Sequence, residues 1–157
     1  MQIRLAETAG FCFGVERAVA LAEQTARTCK NAVTLGPIIH NRHVVERFER
    51  LGLREISAAE AAEPGQTVVI RAHGIPVSEQ RMLSARGALT VDATCPFVKK
   101  IHVIAQKAER DRRSLLIIGT PTHPEVAAIA SYSSDAHVFQ TAEALQAWLT
   151  ERPERRN

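Results

Sequence analysis

Short apolar runs alternate along this chain with stretches in which apolar residues recur every three or four positions. Ile3–Glu7 predicts a strand, and Val15–Cys29 places Val15, Ala18, Val19, Ala22, Ala26 and Cys29 on one helical face. Ala32–Leu35 predicts a second strand. Asn41 is placed to cap a helix over Arg42–Leu51 that closes at Gly52. Leu53–Ile56 is strand-like, and Ser57-Ala58-Ala59-Glu60 has the capping-box pattern of a short helix. Thr67–Ala72 predicts a buried strand ending at His73-Gly74, followed by a helix over Ser78–Arg86 and a strand over Leu89–Asp92.

Pro96 suits the first position of a further helix, with Phe97, Ile101, Ile104 and Ala108 on one face. Leu115–Ile118 and His137–Phe139 are strand-like. Val126–Ala130 opens a helix, and Thr141 caps another that bears Leu145, Trp148 and Leu149. Glu151–Asn157 is charged and expected to fray. Strands alternating with helices at this spacing predict an α/β fold with mostly parallel sheets and flanking helices.

The pattern repeats. A shift of 83 residues lays Cys12 on Cys95, Val15 on Val98, Ala22 on Ala105, Gly36 on Gly119 and His40 on His123. This divides the chain into a first α/β unit over 1–94 and a second over 95–157, with the strand and turn of 1–14 available to a further unit. The first unit continues through Thr67–Ala72 and beyond. The second halts after its equivalent helix near Leu149, which leaves a strand edge unpaired and predicts that the second unit is incomplete.

Composition narrows the function. The chain has 157 residues, 45% hydrophobic, with a net charge of +3 and seven aromatic residues that do not interleave with basic clusters. A nucleic-acid groove is not indicated. No apolar run suffices to span a bilayer, and the first residues lack a signal-peptide core. Three cysteines without a secretory signal suit a reducing, cytoplasmic setting.

Candidate chemistry collects after the predicted strands, at Cys12, His40, His73, Cys95, and His123 with Glu125. In a parallel sheet these positions share the carboxyl edge, where ligands and helix N-termini meet. Cys12 stands between Gly10 and Gly14 on a turn entering a helix, a setting that favours the thiolate. Cys29 lies on the apolar face of that helix, roughly 20 Å from its start at ~1.5 Å per residue, and reads as a packing residue. His43, His102 and His137 read as structural or solvated. Glu125 follows Pro124 at a helix start, and fits a dipole partner or an acid/base group beside His123.

Two thiols and three imidazoles leave several chemistries open. Zinc could take Cys12, Cys95 and a histidine. A cysteine hydrolase would leave one thiol unexplained. An iron–sulfur cluster takes three or four thiolates, so it would draw a third from another unit.

Five motifs carry a resemblance to a known family. Gly10-Phe11-Cys12-Phe13-Gly14-Val15-Glu16-Arg17-Ala18, His40-Asn41-Arg42, Ala72-His73-Gly74, Asp92-Ala93-Thr94-Cys95-Pro96 and His123-Pro124-Glu125-Val126 resemble, in order, those of the LytB/IspH family. These are reductases of non-mevalonate isoprenoid synthesis. The resemblance covers about the first half of a family member. It implies three pseudo-symmetric α/β units around a 4Fe-4S cluster, with Cys12 and Cys95 as two of three thiolate ligands. It implies that His40, His73 and His123 bind the diphosphate of 4-hydroxy-3-methylbut-2-enyl diphosphate. Glu125 would deliver a proton as the allylic hydroxyl leaves, giving isopentenyl and dimethylallyl diphosphate. Electrons would come from a ferredoxin- or flavodoxin-type donor. The third cysteine would lie past Asn157, so the chain alone is expected to be inactive. The competing expectation is a non-catalytic α/β module that binds zinc or phosphate.

Overall fold

The computed structural model describes residues 1–152. Its elements run α1 (Phe13–Thr28), β1 (Ala32–Leu35), α2 (Arg42–Arg50), β2 (Arg54–Ile56), a single 3-10 turn (Ala59–Ala61), β3 (Thr67–Ile70), α3 (Val77–Ala85), β4 (Leu89–Asp92), α4 (Pro96–Arg110), β5 (Leu115–Ile118), α5 (Pro124–Ala130), β6 (Ala136–Phe139) and α6 (Ala142–Glu151). Strands β2-β1-β3-β4 form one sheet and β5-β6 another, and every pairing is parallel. This is the α/β architecture expected from the alternation of periods.

The two central strands of the larger sheet, β1 and β3, are buried at all four positions. Such strands lie between helical layers and need apolar residues on both faces. Ala32 and Val69 face a core with Ala18, Ala22, Val44, Phe48 and Leu53 from the α1–α2 side. Val33, Leu35, Val68 and Ile70 face Ala59, Ala62, Ile75 and Leu83 on the α3 side. The period-two alternation of side chains therefore builds two core layers from one sheet.

The repeat is visible in the elements. Phe13 and Pro96 open α1 and α4, Ala32 and Leu115 open β1 and β5, and Ala59 and Ala142 open the 3-10 turn and α6. All three pairs keep the 83-residue offset. The β1–β2 and β5–β6 pairs are likewise both parallel.

Three expectations are corrected. Residues 3–7 form no strand: Ile3 and Leu5 are 78% and 86% exposed, and the segment turns at Ala6–Ala9 through Ala9 N–H donating to Ala6 O at 3.1 Å. A strand persists by pairing its backbone with a neighbour, and among the described residues none pairs with this segment. The Ser57–Glu60 capping box also does not form. Ala58 occupies the cap position with no side-chain hydrogen bond, because Ala59 and Ala62 are drawn into the core and the chain manages only one 3-10 turn.

Third, α4 turns a different face inward. Val98, His102 and Ala105 are buried, whereas Phe97 is 64% and Ile104 61% exposed. The inward row lies one position round from the apolar row read in the sequence. A histidine at its centre hid it from a hydrophobic pattern.

Candidate functional site at the carboxyl edge

Because every strand is parallel, each strand-to-helix turn opens at one edge of its sheet. Short backbone bonds stitch three of these turns together. Ala72 N–H donates to Ile38 O at 3.2 Å, and Cys95 N–H donates to Ala72 O at 2.9 Å. The turns after β1, β3 and β4 are thus held in register beyond the strands themselves.

The β1 turn passes Gly36, at φ 69°, and ends at His40. Asn41 then caps α2, its side chain accepting from Val44 N–H at 3.3 Å. The β3 turn carries His73 and closes at Gly74, at φ 75°, whose N–H donates to Arg71 O at 3.0 Å. His123 caps α5 after β5. These three turns bring three imidazoles together. The His40 and His73 centroids are 5.1 Å apart, and those of His73 and His123 are 5.8 Å apart and edge-on.

His73 is the half-buried centre of this group, and His40 and His123 flank it at the exposed surface. Burial pushes the His73 pKa below the ordinary histidine value, and the nearby positive charges of His40, His123 and Arg71 lower it further. Its Nδ1 is buried and makes no hydrogen bond. At His123, Nδ1 accepts from Glu125 N–H at 3.2 Å. That bond places the proton of the neutral ring on Nε2, leaving a donor for a ligand. Glu125 is half-buried on the first turn of α5.

The cysteines reach the edge by different routes. Cys95 caps α4 directly after β4. Cys12 caps α1, which precedes β1 and has no strand before it, contrary to expectation. A short link joins α1 to β1, so α1 runs back antiparallel to the strand and its N-terminus still lies at the carboxyl edge. The two helix starts touch. A Cβ on Gly14 would lie 3.1 Å from Cys95 Cβ and would overlap its Sγ. Neither cysteine uses its sulfur as a helix cap, and both are free thiols.

Cys29 ends α1 and packs partly buried against the α1–α2 core, far from this edge. Among the described residues, no group of three or more histidine, cysteine, aspartate or glutamate side chains is arranged to hold a metal ion. Two uncommitted soft donors at touching helix N-termini nevertheless fit part of an iron–sulfur donor set. Nor, among these residues, is any helix long and apolar enough to cross a membrane.

The structure adds Arg71, which the sequence reading passed over. Its Nε donates to Gly74 O at 3.2 Å, and its guanidinium fills the space where a Cβ on Gly36 would stand. A charged residue closing an otherwise apolar strand, immediately before Ala72-His73-Gly74, was the available signal.

The fold and edge define a class: a parallel α/β protein with two thiols at touching helix N-termini and three imidazoles clustered from strand-to-helix turns. The family model described as LytB protein matches residues 3–155, and the chain belongs to that family. It is 44% identical over 153 residues to the 4-hydroxy-3-methylbut-2-enyl diphosphate reductase of Solidesulfovibrio magneticus, covering 93% of this chain and 54% of that protein. The Aquifex aeolicus reductase is 43% identical over 133 residues, covering 84% and 46%.

Among solved structures, that of (E)-4-hydroxy-3-methyl-but-2-enyl diphosphate reductase, the terminal enzyme of the non-mevalonate pathway, matches at a TM-score of 0.79 and 39% identity. The match covers 94% of this chain and 54% of that one. The Plasmodium falciparum E-1-hydroxy-2-methyl-but-2-enyl-4-diphosphate reductase matches at 0.82 and 26%, covering 89% and 45%. The chain spans about half the length of these relatives.

Proposed function

We propose that this chain supplies the diphosphate-binding edge and two cluster thiolates of a 4-hydroxy-3-methylbut-2-enyl diphosphate reductase. The convergence of His40, His73 and His123 from three separate turns carries the reading. Imidazoles with no internal partner for their outward nitrogens, backed by the Arg71 guanidinium, suit a polyanionic group. His123 can donate from Nε2 even when neutral, because its Nδ1 is engaged by Glu125 N–H. His73 takes up a proton as the anion arrives, since the ligand's charge offsets the repulsion from its neighbours.

Cys12 and Cys95 would hold a 4Fe-4S cluster, which supplies the reaction's two electrons and a Lewis-acidic iron. Ferredoxin or flavodoxin would serve as donor, in the cytoplasm. Glu125, next to the anion-holding His123, would hold the proton given to the departing allylic hydroxyl. We treat 1–94 and 95–157 as the two α/β units that flank this edge. Two thiolates are fewer than such a cluster takes, so the 157-residue chain is proposed to retain it weakly and to be inactive by itself.

Titration of the chain with inorganic pyrophosphate by calorimetry tests the reading. Wild type is expected to bind one equivalent, and His40→Gln and His123→Gln to bind at least tenfold more weakly. Equal binding by all three proteins overturns it.

A further inference from the structure

Arg17 belongs to the Gly10–Ala18 motif, yet the site above makes no use of it. Its Nη1 donates to Thr94 O at 3.2 Å, and its Nη2 approaches Asp92 O at 3.5 Å. Both carbonyls belong to the turn that delivers Cys95. The turn is also braced internally. Asp92 Oδ1 accepts from Thr94 N–H at 3.0 Å, and Lys99 pairs with Asp92 Oδ2. Burial pushes Asp92 up, but the bonds from Lys99 and Thr94 outweigh it and keep the carboxylate ionised.

α1 therefore meets the Cys95 turn twice. Gly14 packs on the thiol itself, and Arg17 grips the two carbonyls before it. Residues three apart share a helix face, so one face of α1 makes both contacts. Cys12 caps the same helix. The separation of the two sulfurs is thus set by how α1 seats on this turn.

We propose that Arg17 is a positioning residue that clamps α1 to the Cys95 turn and makes Cys12 and Cys95 a preorganised dithiol for a soft metal centre. The proposal rests on reading both cysteines as thiolate ligands. Gly14 permits the approach and Arg17 fixes its register. A planar guanidinium spans two carbonyls at once, and a lysine ammonium reproduces that geometry poorly. Preorganisation spares the ordering cost that two independently mobile donors would otherwise add to binding.

The test uses phenylarsine oxide, a trivalent arsenical that condenses with two thiols. Two As–S bonds form, the As=O oxygen leaves with both thiol protons as water, and arsenic stays trivalent. The reference is the full chain carrying Cys29→Ser, which retains only the two thiols in question. It is expected to capture one equivalent, measured by competition with a small dithiol.

Arg17→Leu and Gly14→Ala are each expected to weaken capture by about tenfold or more, and Arg17→Lys to restore it only in part. Alkylation of each single thiol by iodoacetamide should stay within about twofold, which separates lost pairing from lost folding. Capture by folded Arg17→Leu as tight as the reference overturns the proposal and leaves the thiol pair standing. If circular dichroism shows Arg17→Leu unfolded, unchanged capture by both Gly14→Ala and Arg17→Lys overturns it instead. No capture by the reference, or undiminished capture after Cys12→Ser or Cys95→Ser, removes the thiol pair itself and the proposal with it.

Discussion

The ring of His40 lies 5.1 Å from that of His73, although α2, β2, a 3-10 turn and β3 separate them in the chain. Parallel pairing of β1 with β3 produces this contact by bringing both turns to one edge. If the two rings share an anion, losing the central one costs more than a surface contact. A hydrogen bond to a charged group contributes about 1.5–3 kcal/mol. His73→Gln is therefore expected to weaken pyrophosphate binding by roughly ten- to a hundredfold in calorimetry, with the circular dichroism spectrum unchanged.

Acid should act on binding and on stability with opposite signs. An anion favours the protonated imidazole, so affinity should rise as pH falls through the histidine range. Sulfate is the better probe, because its own charge is constant between pH 8 and 5.5. Its affinity for wild type is expected to increase several-fold over that interval, and the increase should shrink in His73→Gln. A flat profile would contradict protonation on binding.

His73 and His102 are both held below the ordinary histidine value, each chiefly by burial. In His102 the Asp92 carboxylate opposes this and Lys99 adds to it. Below about pH 6.5 the unfolded chain binds more protons than the folded one, so stability is full above that value and falls as pH drops. The urea midpoint without added anion is expected to be lower at pH 5.5 than at 7.5. The drop should be smaller in His102→Phe, which keeps a ring stacked on Tyr132 but cannot titrate.

The three cysteines should separate cleanly. After anaerobic incubation with iron and sulfide, Cys12→Ser and Cys95→Ser are each expected to lose most of the iron that wild type retains, measured by Mössbauer spectroscopy and metal analysis. Cys29→Ser should retain as much as wild type, because that thiol ends α1 rather than starting it. Equal losses at all three positions would remove the assignment.

Asn41 links the scaffold to the site. Its side chain caps α2 immediately after His40. Asn41→Ala should destabilise the chain by about 1 kcal/mol, the usual cost of a lost cap. Leu83→Ala, in the α3-side core, should cost about 2–5 kcal/mol by leaving a cavity. Urea denaturation measures both. Only Asn41→Ala is expected to weaken pyrophosphate binding, since Leu83 lies apart from the carboxyl edge.

Much of this protein was legible in one dimension. Gly52 and Asn41 delimited α2, Pro96 opened α4, and Thr67–Ala72 read as a buried strand whose paired part is Thr67–Ile70, because these features depend on local dihedral and capping preferences. The repeat that laid Cys12 on Cys95 also set the element offsets. Where neighbours decide, reading failed. Ile3–Glu7 looks like a strand but has none to pair with among the described residues, and Ser57–Glu60 looks like a capping box but is pulled into the core.

By itself, the sequence determined the order and type of most elements and the identity of the thiols and imidazoles, since helix and strand periods and turn chemistry are written in neighbouring residues. Tertiary structure decided which of those groups meet. Parallel register carried His40 and His73 to one edge, packing of the second sheet brought His123 against them, and the antiparallel return of α1 brought Cys12 there without a preceding strand. The approach of Gly14 to Cys95 and the reach of Arg17 to Thr94 span more than seventy residues, and no local pattern encodes them. They arise where the start of α1 meets the turn between β4 and α4, and such packing is settled only when every layer is in place.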